Sequence, residues 1–83
     1  MNDIDTTRAT IEAAVVASFA TIDRANLRWA KSCPTVKLTS RFGWPTIEVS
    51  MHWEVQASTV EALSGLGLPY KLTNHGVAIF YLS

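Results

Sequence analysis

Four constellations let a short chain do chemistry: a thiol beside a base, a set of metal ligands, paired carboxylates and a phosphate cradle. Nucleophilic catalysis here would need Cys33 as a thiolate, with His52 or His75, the two histidines, as its base. No nucleophile elbow surrounds the cysteine. A lone cysteine between a helix and a proline reads instead as a small buried hydrophobe. A metal site needs three or four ligands, and although His52 and Glu54 share one face of an expected strand, their neighbours Ser50 and Gln56 are poor ligands. Among the carboxylates, Glu48 and Glu54 lie six residues apart on that strand, about 20 Å at strand rise, too far to act on one bond. Gly65-Leu66-Gly67 follows a helix where a phosphate loop would precede one, so it reads as a helix stop. No catalytic residue, metal ligand or cofactor is assigned, and the chain is expected not to be an enzyme.

Two surfaces suit binding. Arg24, Arg28, Lys31, Lys37 and Arg41 form a basic stretch without an acid, interleaved with Trp29, Phe42 and Trp44. With Arg24, Arg28 and Lys31 on one face of a helix, this stripe would suit nucleic-acid phosphates. The same cations are also explained by a helix C-terminus, where positive charge is locally stabilising. The second surface is the uncovered face of a sheet. Val77, Ile79 and Tyr81 point outward there beside His52, Arg41 and the turn residue Trp44, and a contiguous apolar stripe among polar residues marks a partner or dimer interface.

The elements that position these residues follow from periodicity. Spacings of three and four from Thr6 to Lys31 predict one long amphipathic helix, stopped by Cys33-Pro34. Alternation predicts strands over Thr35 to Phe42 and Thr46 to Gln56, with Thr39 set opposite Glu48 or near it. Ser58-Thr59-Val60-Glu61 reads as a capping box opening a short second helix. Tyr70 to Thr73 and Val77 to Leu82 are strands joined by the three-residue loop Asn74-His75-Gly76, whose glycine takes the left-handed position.

The chain therefore reads αββαββ, one α+β domain over residues 1–83. It is the order left when the first strand of a ferredoxin-like plait moves to the C-terminus, a circular permutation. Right-handed crossovers then give the strand order third, fourth, second, first, with both helices on one face of a four-stranded antiparallel sheet. The last strand is central, which agrees with its being apolar at every position from Val77 to Leu82.

Composition narrows the function classes. With 48% hydrophobic and 17% charged residues and zero formal net charge, the chain is globular, and a polybasic or histone-like mode is excluded. The single cysteine permits no intramolecular disulfide, the N-terminus is acidic where a secretory signal is basic, and the apolar run from Ala13 to Ile22 is too short to span a bilayer. A cytoplasmic location without membrane attachment is the expectation. The leading functional expectation is a non-enzymatic protein-binding domain: a small inhibitor, adaptor or subunit, such as a mobile-element-type inhibitor of a larger host or defence complex, with homodimerisation through its sheet as a further expectation. A nucleic-acid-binding module using Arg24, Arg28 and Lys31 is the alternative, and a small enzyme the third.

Overall fold

A computed structural model describes residues 3–23, 25, 27–30 and 32–82. The chain runs α1 (Asp3–Thr21), β1 (Thr35–Arg41), β2 (Trp44–Ser50), α2 (Trp53–Ser64), β3 (Lys71–Leu72) and β4 (Val77–Tyr81). The αββαββ order is the expected one, in the expected α+β class. The sheet is antiparallel with the order β1-β2-β4-β3, so the last strand is flanked on both sides.

One face of the sheet meets the helices. Ile11, Val15 and Phe19 of α1, and Val55 and Leu63 of α2, share a single apolar cluster with Ile47 and Val49 of β2 and Ala78 and Phe80 of β4. The helical residues recur at intervals of four, which keeps them on one side of each helix. Tyr70 packs against the same cluster, its ring centroid 5.3 Å from that of Phe80.

The first helix is shorter than its periodicity predicts. It ends at Thr21 and not at Lys31. The Ile22 N–H turns back to the Phe19 carbonyl in a tighter i to i−3 bond, and the Asp23 carboxylate accepts the Ala25 N–H. A side chain that bonds the backbone two residues on offers an alternative to the helical ladder, and at Asp23 that alternative prevails.

The second correction falls between β2 and α2. Alternation through Gln56 predicts one strand, yet the strand stops at Ser50 and residues 53–64 are helical. His52, in extended conformation, is the N-cap, its Nδ1 accepting the Glu54 N–H at 3.2 Å. The buried residues of α2 are Val55, Thr59 and Leu63, a helical period that coincided with the tail of the alternating one. Ser58 and Glu61, expected to open the helix, lie within it, and Gly65 closes it by donating to the Glu61 carbonyl.

The second hairpin has its expected three-residue loop, and the first is tighter than a pairing of Thr39 with Glu48 would make it. Arg41 pairs with Trp44 across the two-residue turn Phe42-Gly43, so Thr39 lies opposite Thr46 and Lys37 opposite Glu48. Phe42 and Gly43 have φ of 54° and 81°, the paired positive values of a type I′ turn. In the second hairpin Thr73 donates to the Val77 carbonyl, Gly76 has φ 75° and the loop is Asn74-His75-Gly76. A Cβ on Gly76 would lie 2.8 Å from the Met51 carbonyl oxygen, and the Met51 N–H donates to Gly76.

Candidate functional site

The sheet face turned away from the helices carries Lys37, Arg41, Trp44, Thr46, Glu48, Val77, Ile79 and Tyr81, the parity expected of β4. It is not an open apolar stripe. Ile79 is only 3% exposed and Val77 is half-buried, leaving Tyr81 as the accessible member. Register sets Glu48 on one side of Ile79 and Lys71 on the other, and long polar side chains can cover apolar neighbours with their stems.

An ion pair runs along this face. Arg41 Nε donates to Glu48 Oε2 at 2.6 Å and Nη2 to Oε1 at 3.3 Å. Because Lys37 is the rung partner of Glu48, Arg41 must reach along the strand past the Thr39–Thr46 rung to make it. Thr46 is fully buried there, with no partner for its hydroxyl among the described residues. Arg41's hydrogen bond holds the Glu48 carboxyl below the usual carboxylate range, and the same bond raises the Arg41 guanidinium.

At the hairpin end of this face three aromatics are exposed. Phe42 is 92% exposed and Trp44 57%, and Tyr81 sits on the rung next to that of Arg41 and Trp44. The tryptophan does not fold back onto the core. Of the six residues expected to bind a partner, Arg41, Trp44 and Tyr81 come together here. Val77 pairs with Ser50 at the other end of β2, Ile79 is covered, and His52 is displaced from the face altogether, because it caps α2.

The His52 end holds a second exposed group. Trp53, whose ring centroid is 5.4 Å from that of His52, is 68% exposed, and Trp29 is 62% exposed. Between them, Glu54 accepts three consecutive backbone N–H groups, from Arg28 at 2.9 Å and from Trp29 and Ala30 at 2.6 Å each. Burial pushes its carboxyl up, but the three N–H groups, with His52 nearby, outweigh burial and hold it below the ordinary value. These long-range bonds left no mark in the local pattern. Trp53, within the strand expected over Thr46 to Gln56, is instead the first residue of α2 and is exposed.

α1 ends at Thr21, short of the basic stripe's one described member, Arg28. Arg24 and Lys31 lie outside the described residues; Arg28 is exposed in the irregular segment after α1, its N–H held by Glu54. Cys33 is half-buried against the core. Among the described residues no group of three or more His, Cys, Asp or Glu converges, and no helix is long and apolar enough to cross a membrane. In comparisons with known proteins, no family model, no curated protein and no solved structure matches the chain.

Proposed function

We propose that this is a non-enzymatic protein-binding domain, a small inhibitor, adaptor or subunit, that presents Phe42, Trp44 and Tyr81 with Arg41 to its partner. The observation that supports this reading most strongly is Phe42. It occupies the first position of a type I′ turn, where asparagine, aspartate or glycine is favoured because φ is positive. A bulky residue at φ 54° costs of order 1 kcal/mol, and at 92% exposure it regains almost nothing from packing within the chain. Sequences that break a local rule without an internal gain do so at functional sites. Aromatic residues and arginine are also the side chains most enriched where binding energy concentrates.

The test is capture from source-cell lysate with and without nuclease, comparing the unmodified chain with Phe42→Asn and Trp44→Ala. The expected result is a protein retained in the presence of nuclease and lost with either substitution, while circular dichroism stays unchanged. Retention that vanishes with nuclease would favour the nucleic-acid alternative. Retention by both substituted chains would overturn the hairpin-end assignment.

A further inference from the structure

We propose that two copies of this chain pair along β1, antiparallel and in one register, with Leu38 of each copy at a two-fold axis. β1 is an edge strand of seven residues with no strand paired on its outer side among the described residues, whereas the opposite edge, β3, has only two. A regular edge strand presents a row of free N–H and C=O groups and is a template for another strand.

Which groups are free follows from one hydrogen bond. The Leu82 N–H donates to the Pro45 carbonyl at 3.0 Å, so Pro45 turns its backbone toward the β4 side and away from β1. Pro45 is opposite Ser40, which makes that rung a non-hydrogen-bonded one. Rungs alternate in an antiparallel ladder. Val36, Leu38 and Ser40 therefore direct their backbone groups to the free edge, while Lys37, Thr39 and Arg41 bond β2.

A two-fold axis normal to the sheet keeps each side chain on its own face, so the axis must pass through a residue paired with itself. Centring on Leu38, the middle of Thr35–Arg41, overlaps the whole strand. It sets Val36 opposite Ser40 of the second copy, Lys37 opposite Thr39, and Thr35 opposite Arg41. No cation meets a cation, and Lys37 keeps Glu48 beside it on its own sheet. Moving the axis to Lys37 opposes two lysines, and moving it to Thr39 opposes Lys37 and Arg41. Like charges directly opposite one another are destabilising. Only the Leu38 register gives full overlap without that repulsion, and in it all three outward residues of each copy exchange backbone bonds.

The helix side of the edge fits the same arrangement. Val16 of α1 is exposed and lines a groove with Glu12, Val15, Pro34 and Val36, along the free side of β1. The other flank of α1 is already occupied, since Ser18 donates to the Ser58 carbonyl of α2. Pairing at β1 brings Leu38 and the short Ser40 of the second copy against this groove, and covers the partly exposed Leu38 with its own equivalent.

Sedimentation equilibrium over a concentration series tests the pairing, with twice the chain mass expected at high concentration. Register is read by oxidative cross-linking in a Cys33→Ala background. Leu38→Cys should form an inter-chain disulfide, because directly opposed residues of a hydrogen-bonded rung have Cα atoms about 5.5 Å apart, within disulfide range. Val36→Cys and Thr39→Cys, offset from their own equivalents, should not. Ser40→Pro removes an N–H that faces only the edge, where proline is tolerated, and should give a folded monomer. Should that chain unfold by circular dichroism, Leu38→Lys decides, since it places two ammonium groups at the axis and should also yield a monomer. A chain that stays monomeric at every concentration overturns the proposal, as does a dimer that survives both substitutions or cross-links fastest through Val36→Cys.

Discussion

At one end of the sheet Phe42 and Trp44 stand on a two-residue turn whose shape is fixed by the β1–β2 ladder; at the other, Trp29 and Trp53 stand on segments tied together by the Glu54 carboxylate. Both ends expose large aromatics, but the forces that hold them differ. The hairpin is supported by backbone hydrogen bonds on alternate rungs and by a surface ion pair that adds little. The other end depends on one ionised group accepting three N–H bonds across more than twenty residues of chain. Rigidity that comes from backbone pairing is indifferent to pH, whereas rigidity that comes from a carboxylate is not.

The largest perturbation should erase the difference between the two ends. Phe80 is buried in the core that underlies both, and Phe80→Ala should lower stability by about 3 to 5 kcal/mol. That is a large share of the ~4 to 12 kcal/mol usual for a chain this long. All three tryptophans should then report one cooperative transition in denaturant, with its midpoint shifted down. Separate transitions would show that the ends are not coupled through the core.

A smaller change should act first on the Glu54 end. Gly76 adopts φ 75° and its added Cβ would press on the backbone oxygen of Met51, the residue before the cap His52. Backbone cannot swing aside as a side chain would, so Gly76→Ala should cost on the order of 1 to 3 kcal/mol. Hydrogen exchange should quicken at Met51, whose N–H is bonded to Gly76, before it does along β1.

Acid separates the two ends directly. Glu54 has a folded value below its ordinary 4.5, so it binds fewer protons folded than unfolded. Its stabilisation is present above the unfolded value and is lost as pH falls through the lower, folded one. In a Trp44→Phe chain, the fluorescence of Trp29 and Trp53 should change over that range, and Glu54→Gln should remove the change. Glu48 is depressed in the same sense, yet the chain keeping only Trp44 should respond less, because the turn retains its ladder when Arg41 is released. Equal responses at both ends would refute the distinction.

Two local features were legible in the sequence. The left-handed glycine of the Asn74-His75-Gly76 loop follows from a short turn between two strands, and the central place of Val77 to Tyr81 follows from their being apolar on both sides. Two boundaries were not legible. Met51, Trp53 and Val55 alternate as a strand does, while Val55, Thr59 and Leu63 repeat as a helix does, and only the His52 side chain at the Glu54 N–H decides where one pattern yields to the other. Likewise the basic run to Lys31 looked helical until Asp23 and Glu54 claimed its backbone N–H groups. Phe42 lies in the turn and not in the strand that alternation predicts, and Ile79 is buried on the face that alternation leaves open.

The smallest effect on stability should carry the largest effect on function. Asparagine visits the left-handed region with less strain than phenylalanine and completes the Asn-Gly pair that a type I′ turn prefers. Phe42→Asn should therefore raise stability, by roughly 0.5 to 1 kcal/mol, and should also remove exposed apolar surface. Trp44→Ala, on a strand with its neighbours intact, should shift stability by less than about 0.5 kcal/mol. A gain in stability coupled to a loss of partner retention is the signature of a residue kept for contact at the expense of the fold. If Phe42→Asn destabilises the chain, the phenylalanine is packing against something within the molecule, and the hairpin end loses its claim over the Trp29 and Trp53 end as the place where a partner binds.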